Sequence, residues 1–296
     1  MGPESVMCRR RNGTFNSDDY GPCPECLEWI VLKDNFLKHR ANCPKNTKCS
    51  TAVAIVQSYI YQGKIAENTG EKMKSEVFPS MKKDELTAIA VSDNLIVALG
   101  EWHFINNLGN KIKRKNYTSY RMRLAARMLQ IVRDQIGDPS ATLSQCLVVE
   151  NFDAFAKAAL LACGKTSEEE LKHPSVALKL GYDLVRLVGS KMAFYSKQRD
   201  EENRKEAKRL ACILESKWKI KVRKEAKLIL EERSFNKQSN LPDPNDIALL
   251  AEYLVKSLNN LELSSDPCSF RRTVVLTEAR LILYNRRRPG ELEALL

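Results

Sequence analysis

Cys23, Cys26, His39 and Cys43 are the residues of this 296-residue chain whose types and spacing best define a chemistry. Pro24 and Glu25 separate the first two cysteines, which makes a tight knuckle. Twelve residues separate Cys26 from His39, and Cys43 follows one helical turn on. Three thiolates and an imidazole are the soft-to-borderline donors that a tetrahedral Zn²⁺ takes. The apolar positions agree. Ile30 and Phe36 fall where a small ββα unit needs its two core side chains, and Phe36 lies one turn before His39 on the ligand face. The pattern is that of a Cys2His2 zinc finger whose last His is replaced by Cys. It assigns residues 20–45 to a finger with Zn²⁺ as its cofactor. Cys8 and Cys49 flank it without a partner at finger spacing and stay outside the ligand set.

A finger of this kind can read DNA or dock a protein. In the DNA-reading mode its helix enters the major groove, and the base-facing positions counted back from His39 are Leu32, Asp34, Asn35 and Lys38. Asn35 can read adenine and Lys38 a guanine or a phosphate, while Leu32 offers no more than contact with a thymine methyl. One finger spans about three base pairs, too few for specificity by itself. Single Cys-ended fingers also dock proteins, so the finger alone leaves both partners open.

A second constellation is basic. Lys111, Lys113, Arg114, Lys115, Arg121, Arg123, Arg127 and Arg133 accumulate with no carboxylate among them, and Tyr117 and Tyr120 are interleaved. An unbalanced basic run leading into a helix suits a phosphate-tracking surface, because each neutralised phosphate releases counterions. The stretch 197–233 differs, because Lys and Arg there are laced with Glu, which favours pairing along an exposed helix. Trp218, among Lys217, Lys219 and Lys221, reads as a core anchor with snorkelling neighbours rather than a base-stacking platform. His103 and His173 have no evident partner and read as packed or capping residues.

The elements that must position these groups are mostly helical. Residues 1–19 are polar and read as a disordered lead, and 46–80 as a linker holding one short helix from Ala52 to Tyr61. Helical periodicity then runs from Lys82 through Leu99, Tyr120 to Ile136, Phe152 to Cys163, Val176 to Val188 and Asp200 to Glu232. It resumes from Ile247 to Leu261 and from Arg271 to Tyr284. Cys146 to Val149 is the one good strand candidate beyond the finger. The expected fold is mainly α, a small ββα finger followed by an all-helical body over 81–236 and a further helical segment over 241–296.

Composition narrows the partners. The formal net charge is +11 and 43% of residues are hydrophobic, so the chain can bury a core and still attract polyanions. Double-stranded DNA is the expected partner, with protein partners through the finger as the other possibility. No small-molecule substrate is expected. No apolar leader opens the chain and no apolar run reaches membrane-spanning length, so no membrane is expected. Cys146, Cys163 and Cys212 lie in apolar stretches as buried thiols, which suits a reducing compartment.

The segment from Ala279 to Leu296 places an apolar helix before Arg286-Arg287-Arg288, then Pro289-Gly290-Glu291-Leu292 and a second apolar stretch. This resembles the first catalytic box of tyrosine recombinases, in which an Arg clamps the scissile phosphate and a Glu follows the Gly turn. The resemblance places the clamp at Arg288 and the acid at Glu291. Leu241 to Asp246 looks like the entry to such a catalytic domain, which makes the preceding helical region similar to a core-binding domain. Tyr120 to Leu129 and Pro174 to Tyr182 are similar to stretches of zinc-finger proteins related to Crypton-type mobile-element recombinases. The chain departs from that family in lacking the second Arg, the His/Lys pair and the Tyr nucleophile after Arg288. Tyr117, Tyr182 and Tyr253 all lie upstream, in the wrong order. The resemblance therefore implies a nuclear DNA-binding protein that does not recombine DNA, with Arg286, Arg287 and Arg288 as a residual phosphate contact. A protein adaptor and a fragment of an active recombinase are the competing readings.

Overall fold

The computed structural model describes residues 19–32, 35–43, 45, 50–107, 109, 113–166, 171–235, 243–261 and 266–285. The protein is mainly α-helical, and the described residues hold one two-stranded sheet. Strands β1 (Tyr20–Pro22) and β2 (Trp29–Val31) pair antiparallel with Gly21 opposite Ile30, and α1 (Phe36–Asn42) completes a ββα unit. The chain divides into two units, Met1–Arg233 and Ser234–Leu296.

The finger does not stand apart within the first unit. Leu32 and Phe36 form one small core with Ala54 and Ile55 of α2 (Thr51–Tyr61), and Ile30 and Tyr59 pack at its edge. A β-carbon at Gly21 would meet the side-chain ends of Ser58 on α2 and of Gln62 just after it, so the glycine eases the close approach of β1 to α2. The segment 46–80 is accordingly no linker. Val56 of α2 and, after it, Ile65, Met73, Val77 and Phe78 enter the main core, the last three from a π turn (Met73–Val77) and a 3-10 turn (Phe78–Ser80). Each is worth on the order of 1.5–3 kcal/mol when fully removed from water, which is why this polar-looking stretch folds onto its neighbours.

The body is a bundle of α3 (Glu85–Ser92), α4 (Asn94–Asn106), α5 (Arg114–Ile136), α6 (Leu143–Cys146), α7 (Phe152–Ala162), α8 (Pro174–Gln198), α9 (Glu201–Trp218) and α10 (Lys224–Phe235). Helix α5 is central. Met122, Leu124, Ala125, Ala126, Met128, Leu129 and Val132 are all buried, and α3, α4 and α7 pack around it. Helices α8 and α9 pack along one another, and Trp218 occupies the space above Gly181, where any β-carbon would strike the indole.

Local signals explain the boundaries. The apolar run from 82 to 99 is broken into α3 and α4, which meet at 86°. Asp93 causes the break: its Oδ1 accepts from Leu95 N and Ile96 N, and its Oδ2 accepts from Leu143 N at 2.7 Å, so one buried carboxylate caps both α4 and α6. The strand expected over Cys146 to Val149 is replaced by α6 and a 3-10 turn, because Thr142 and Gln145 close a reciprocal capping box that starts a helix there. Gly137 ends α5 in the left-handed conformation. The thiols of Cys146 and Cys163 are buried as expected, whereas Cys212 lies on the exposed side of α9. Among the described residues no single helix is long and apolar enough to cross a membrane.

The second unit holds α11 (Pro244–Asn259) and α12 (Pro267–Asn285), which pack on each other, and Leu254 and Leu276 are buried. Asp243 caps α11 through Asn245 N, with Pro244 at its first turn. The expected lead (1–18 of 1–19), Asp34, Cys8, Cys49, Lys111, Arg286, Arg287, Arg288 and Glu291 lie outside the described residues.

Candidate metal centre and basic surfaces

The knuckle, β2 and α1 bring Cys23, Cys26, His39 and Cys43 together. Their ligand atoms all lie within 4.8 Å of one another, with Cys26 Sγ 3.2 Å from His39 Nε2. A tetrahedron with metal–sulfur bonds of about 2.3 Å has ligand–ligand edges of roughly 3.8 Å, so the four donors surround a space of the right size for a metal ion. Backbone geometry builds the knuckle. Leu27 N donates to Cys23 O and Cys23 N donates to Glu28 O, which requires Leu27 to adopt φ 64°. His39 Nδ1 lies 3.4 Å from a Glu28 carboxylate oxygen, leaving Nε2 aimed at the thiols. An acid on the far nitrogen is the usual means of fixing a ligand imidazole's tautomer. Glu28 escaped the sequence reading because nothing in its spacing marks it.

Burial, followed by the neighbouring Cys23 and Cys43 thiols, pushes the Cys26 thiol up to about 11. Crowded thiols disfavour the thiolate until a cation sits among them, which is the electrostatic setting of a metal site. Four protein donors would close a tetrahedron around a bound ion and leave it no position for a reacting water, as in structural sites.

The finger's proposed reading residues are unequally placed. Lys38 is exposed on α1, and Asn35 is half-buried at its N-cap. Leu32, 5% exposed, is part of the core against α2 and cannot touch a base.

The basic stretch of α5 is mostly consumed inside the fold. Arg121 is 1% exposed; it is ion-paired with Asp183 and donates to Lys179 O at 2.9 Å. Arg123 makes a bidentate pair with Asp84 at 2.5 and 2.7 Å, which, with help from Thr87, holds the Asp84 carboxyl down at about 2. Arg114 pairs with Glu76 at 2.7 Å and lies over the Phe104 ring. Arg133 donates from Nε to Ala141 O at 2.7 Å. The expected phosphate contact at Arg121 is thus corrected, since its side chain is buried, and Arg114 and Arg123 are held by carboxylates that arrive from other elements. Lys113, Lys115 and Arg127 remain on the surface.

His103 also has a partner after all. Its Nε2 donates to Asp183 Oδ1 at 2.9 Å, Arg186 reaches the same oxygen at 3.2 Å, and the Arg186 guanidinium stacks 3.8 Å from the centre of the Trp102 ring. His103, Arg121, Asp183 and Arg186 form a charged clamp joining α4, α5 and α8. His173 is the N-cap residue of α8, and Trp218 is a core anchor, 7% exposed.

Comparison with known proteins returned no matching family model, no similar curated protein and no similar solved structure.

Proposed function

We propose that the protein is a zinc-dependent, non-enzymatic DNA-binding protein of the nucleus, resembling the front part of a Crypton-type tyrosine recombinase. The observation that carries this reading is the closed Cys3His cluster in a ββα frame. Three thiolates and an imidazole at this separation favour zinc over harder cations, and a saturated tetrahedron supports a folding role rather than a reaction. The exposed Lys38 on α1 and the net charge of +11 supply the attraction for phosphates. The recombinase likeness rests on the sequence around Arg288 and on the mainly helical body.

Metal analysis of the purified protein tests the cofactor, with one zinc per chain expected and none for Cys23→Ser. Fluorescence anisotropy with random-sequence duplex across a salt series tests the partner. Submicromolar affinity at low salt that falls steeply with added salt supports the reading, and weak binding indifferent to salt overturns it.

A second reading, protein docking, is favoured by exposed apolar side chains. Leu37 on α1 is 66% exposed, and Leu249 and Tyr253 on α11 and Phe270 on α12 also face outward. It becomes the better account if duplex binding fails while zinc is present.

A further inference from the structure

Residues 217–227 join α9 to α10 through a π turn, Lys219–Arg223. This segment carries Lys217, Lys219, Lys221, Arg223, Lys224 and Lys227 against one carboxylate, Glu225. All six cations are exposed, whereas the carboxylate is occupied by Lys165 at 2.8 Å. Trp218, Val222 and Ala226, spaced four apart, hold the inner face in the core, so the remaining positions are turned to solvent. The widened π turn, a feature often found at functional sites, falls in the middle of the array. Beside it Lys221, Lys157 and Lys165 border an open depression of about 430 Å³ between α7 and the turn, with Thr166 on its rim.

We propose that this surface, centred on Lys217, Lys221 and Lys224 with Lys157 alongside, grips the phosphate backbone of duplex DNA. The proposal rests on the DNA-binding reading and places its main electrostatic contact on the α9–α10 rod rather than on α5. Phosphate is the fitting chemistry because the cations are many, close in sequence and exposed, with Lys221 alone among the three central lysines paired to a carboxylate, Asp153, and because each one that meets a phosphate releases a counterion. A membrane surface fits less well. A lipid-bound helix needs a free apolar stripe, and here that stripe is already committed to Trp218, Val222 and Ala226 in the core. Lys221 lies 3.3 Å from Asp153, both well exposed, so its side chain can exchange that carboxylate for a phosphate at little cost.

The test compares two triple variants of the full zinc-loaded protein by anisotropy with random-sequence duplex across a salt series. One is Lys217→Gln with Lys221→Gln and Lys224→Gln. The control is Lys197→Gln with Lys205→Gln and Lys208→Gln, three exposed lysines that remove the same net charge at and beyond the other end of α9. Thermal melts establish that both variants fold. The first variant is expected to lower the slope of log affinity against log salt by about 3, roughly 0.9 per lost phosphate contact, and the control by less than one contact's worth. Equal slopes for the two variants, or a first-variant slope equal to wild type, overturn this site while leaving DNA binding intact. Wild-type protein that binds no duplex overturns the DNA-binding reading and this site with it. Wild-type affinity for phosphatidylserine vesicles that exceeds duplex affinity, and is lost in the first variant, overturns DNA as the occupant.

Discussion

Helix α5 and the α9–α10 rod carry basic arrays of similar density, and the fold treats them in opposite ways. Arg114, Arg121, Arg123 and Arg133 on α5 are turned inward to Glu76, Asp183, Asp84 and a backbone carbonyl. Lys217, Lys219, Lys221, Arg223 and Lys224 on the rod are turned outward. The cause is position rather than composition. Helix α5 is surrounded by α3, α4 and α7, so carboxylates reach it from several directions. The rod touches the body along an apolar stripe and a few polar contacts, Glu225 to Lys165, Lys221 to Asp153 and Arg233 to the Leu171 and Lys172 carbonyls, and most of its other positions face water. A charged side chain in the centre of a bundle must be paired, because an unpaired buried charge is the costlier state. On the outside no such requirement operates, and exposed charge remains available to a partner.

The largest test of this contrast is Asp183→Ala. Asp183 is 1% exposed and serves His103, Arg121 and Arg186 together. Its removal strands the Arg121 guanidinium in the core and is expected to cost about 3–5 kcal/mol in urea denaturation. Replacing the pair together, Asp183→Leu with Arg121→Met, is expected to recover most of that loss, since a packed apolar pair needs no compensation. Lys221→Gln on the rod is expected to stay within about 0.5 kcal/mol of wild type. A small effect at Asp183, no larger than that at Lys221, would erase the distinction between the two arrays.

The Asp84–Arg123 pair gives a smaller effect with a pH signature. Asp84 also caps α3, accepting from Thr87 N at 3.1 Å, and Asn preserves that cap. Asp84→Asn therefore isolates the ion pair and is expected to cost about 1 kcal/mol at neutral pH, modest because the pair is partly exposed. Arg123 holds the folded-state carboxyl at about 2, below the roughly 3.9 of an unfolded chain. A depressed carboxyl stabilises the fold fully above its unfolded value, and that contribution is lost as pH falls from about 4 to about 2. Denaturation midpoints across that window should converge for wild type and Asp84→Asn. Parallel curves would mean that Arg123 is not engaged as the geometry places it.

How far the sequence discloses such arrangements depends on the separation of the partners. The cluster of Cys23, Cys26, His39 and Cys43 was readable because its four donors and the Ile30 and Phe36 core lie within two dozen residues of chain. The helices were readable because periodicity is local, and α7 and α11 fall close to their expected spans, whereas α5 ends at Ile136 as expected but begins six residues early, at Arg114. What could not be read was pairing at long range. His103 and its Asp183 partner are 80 residues apart, and no rule of spacing links them. The same limit hid the docking of the finger on α2, where Leu32 and Phe36 meet Ala54 and Ile55. The Val148-Val149 pair suggested a strand, yet the Thr142–Gln145 capping box was a competing local signal that prevailed.

The smallest expected effect separates the surface of α5 from its interior. Arg127 lies on the same helix as Arg121 and Arg123 but is exposed. It opposes the burial that pushes the Cys163 thiol up to about 12. That is too little to matter for folding at neutral pH, because the thiol stays protonated with or without Arg127. Arg127→Gln is therefore expected to leave the denaturation midpoint within about 0.5 kcal/mol of wild type. It is also expected to leave the salt slope of duplex binding unchanged, because the arginines before it on α5 face Glu76, Asp183 and Asp84 and provide no array for a backbone to follow. A slope lower by about 0.9, one phosphate's worth, would show that the outer edge of α5 does meet DNA. The interface would then extend from the rod to α5, and the contrast between the two arrays would hold for the buried arginines alone.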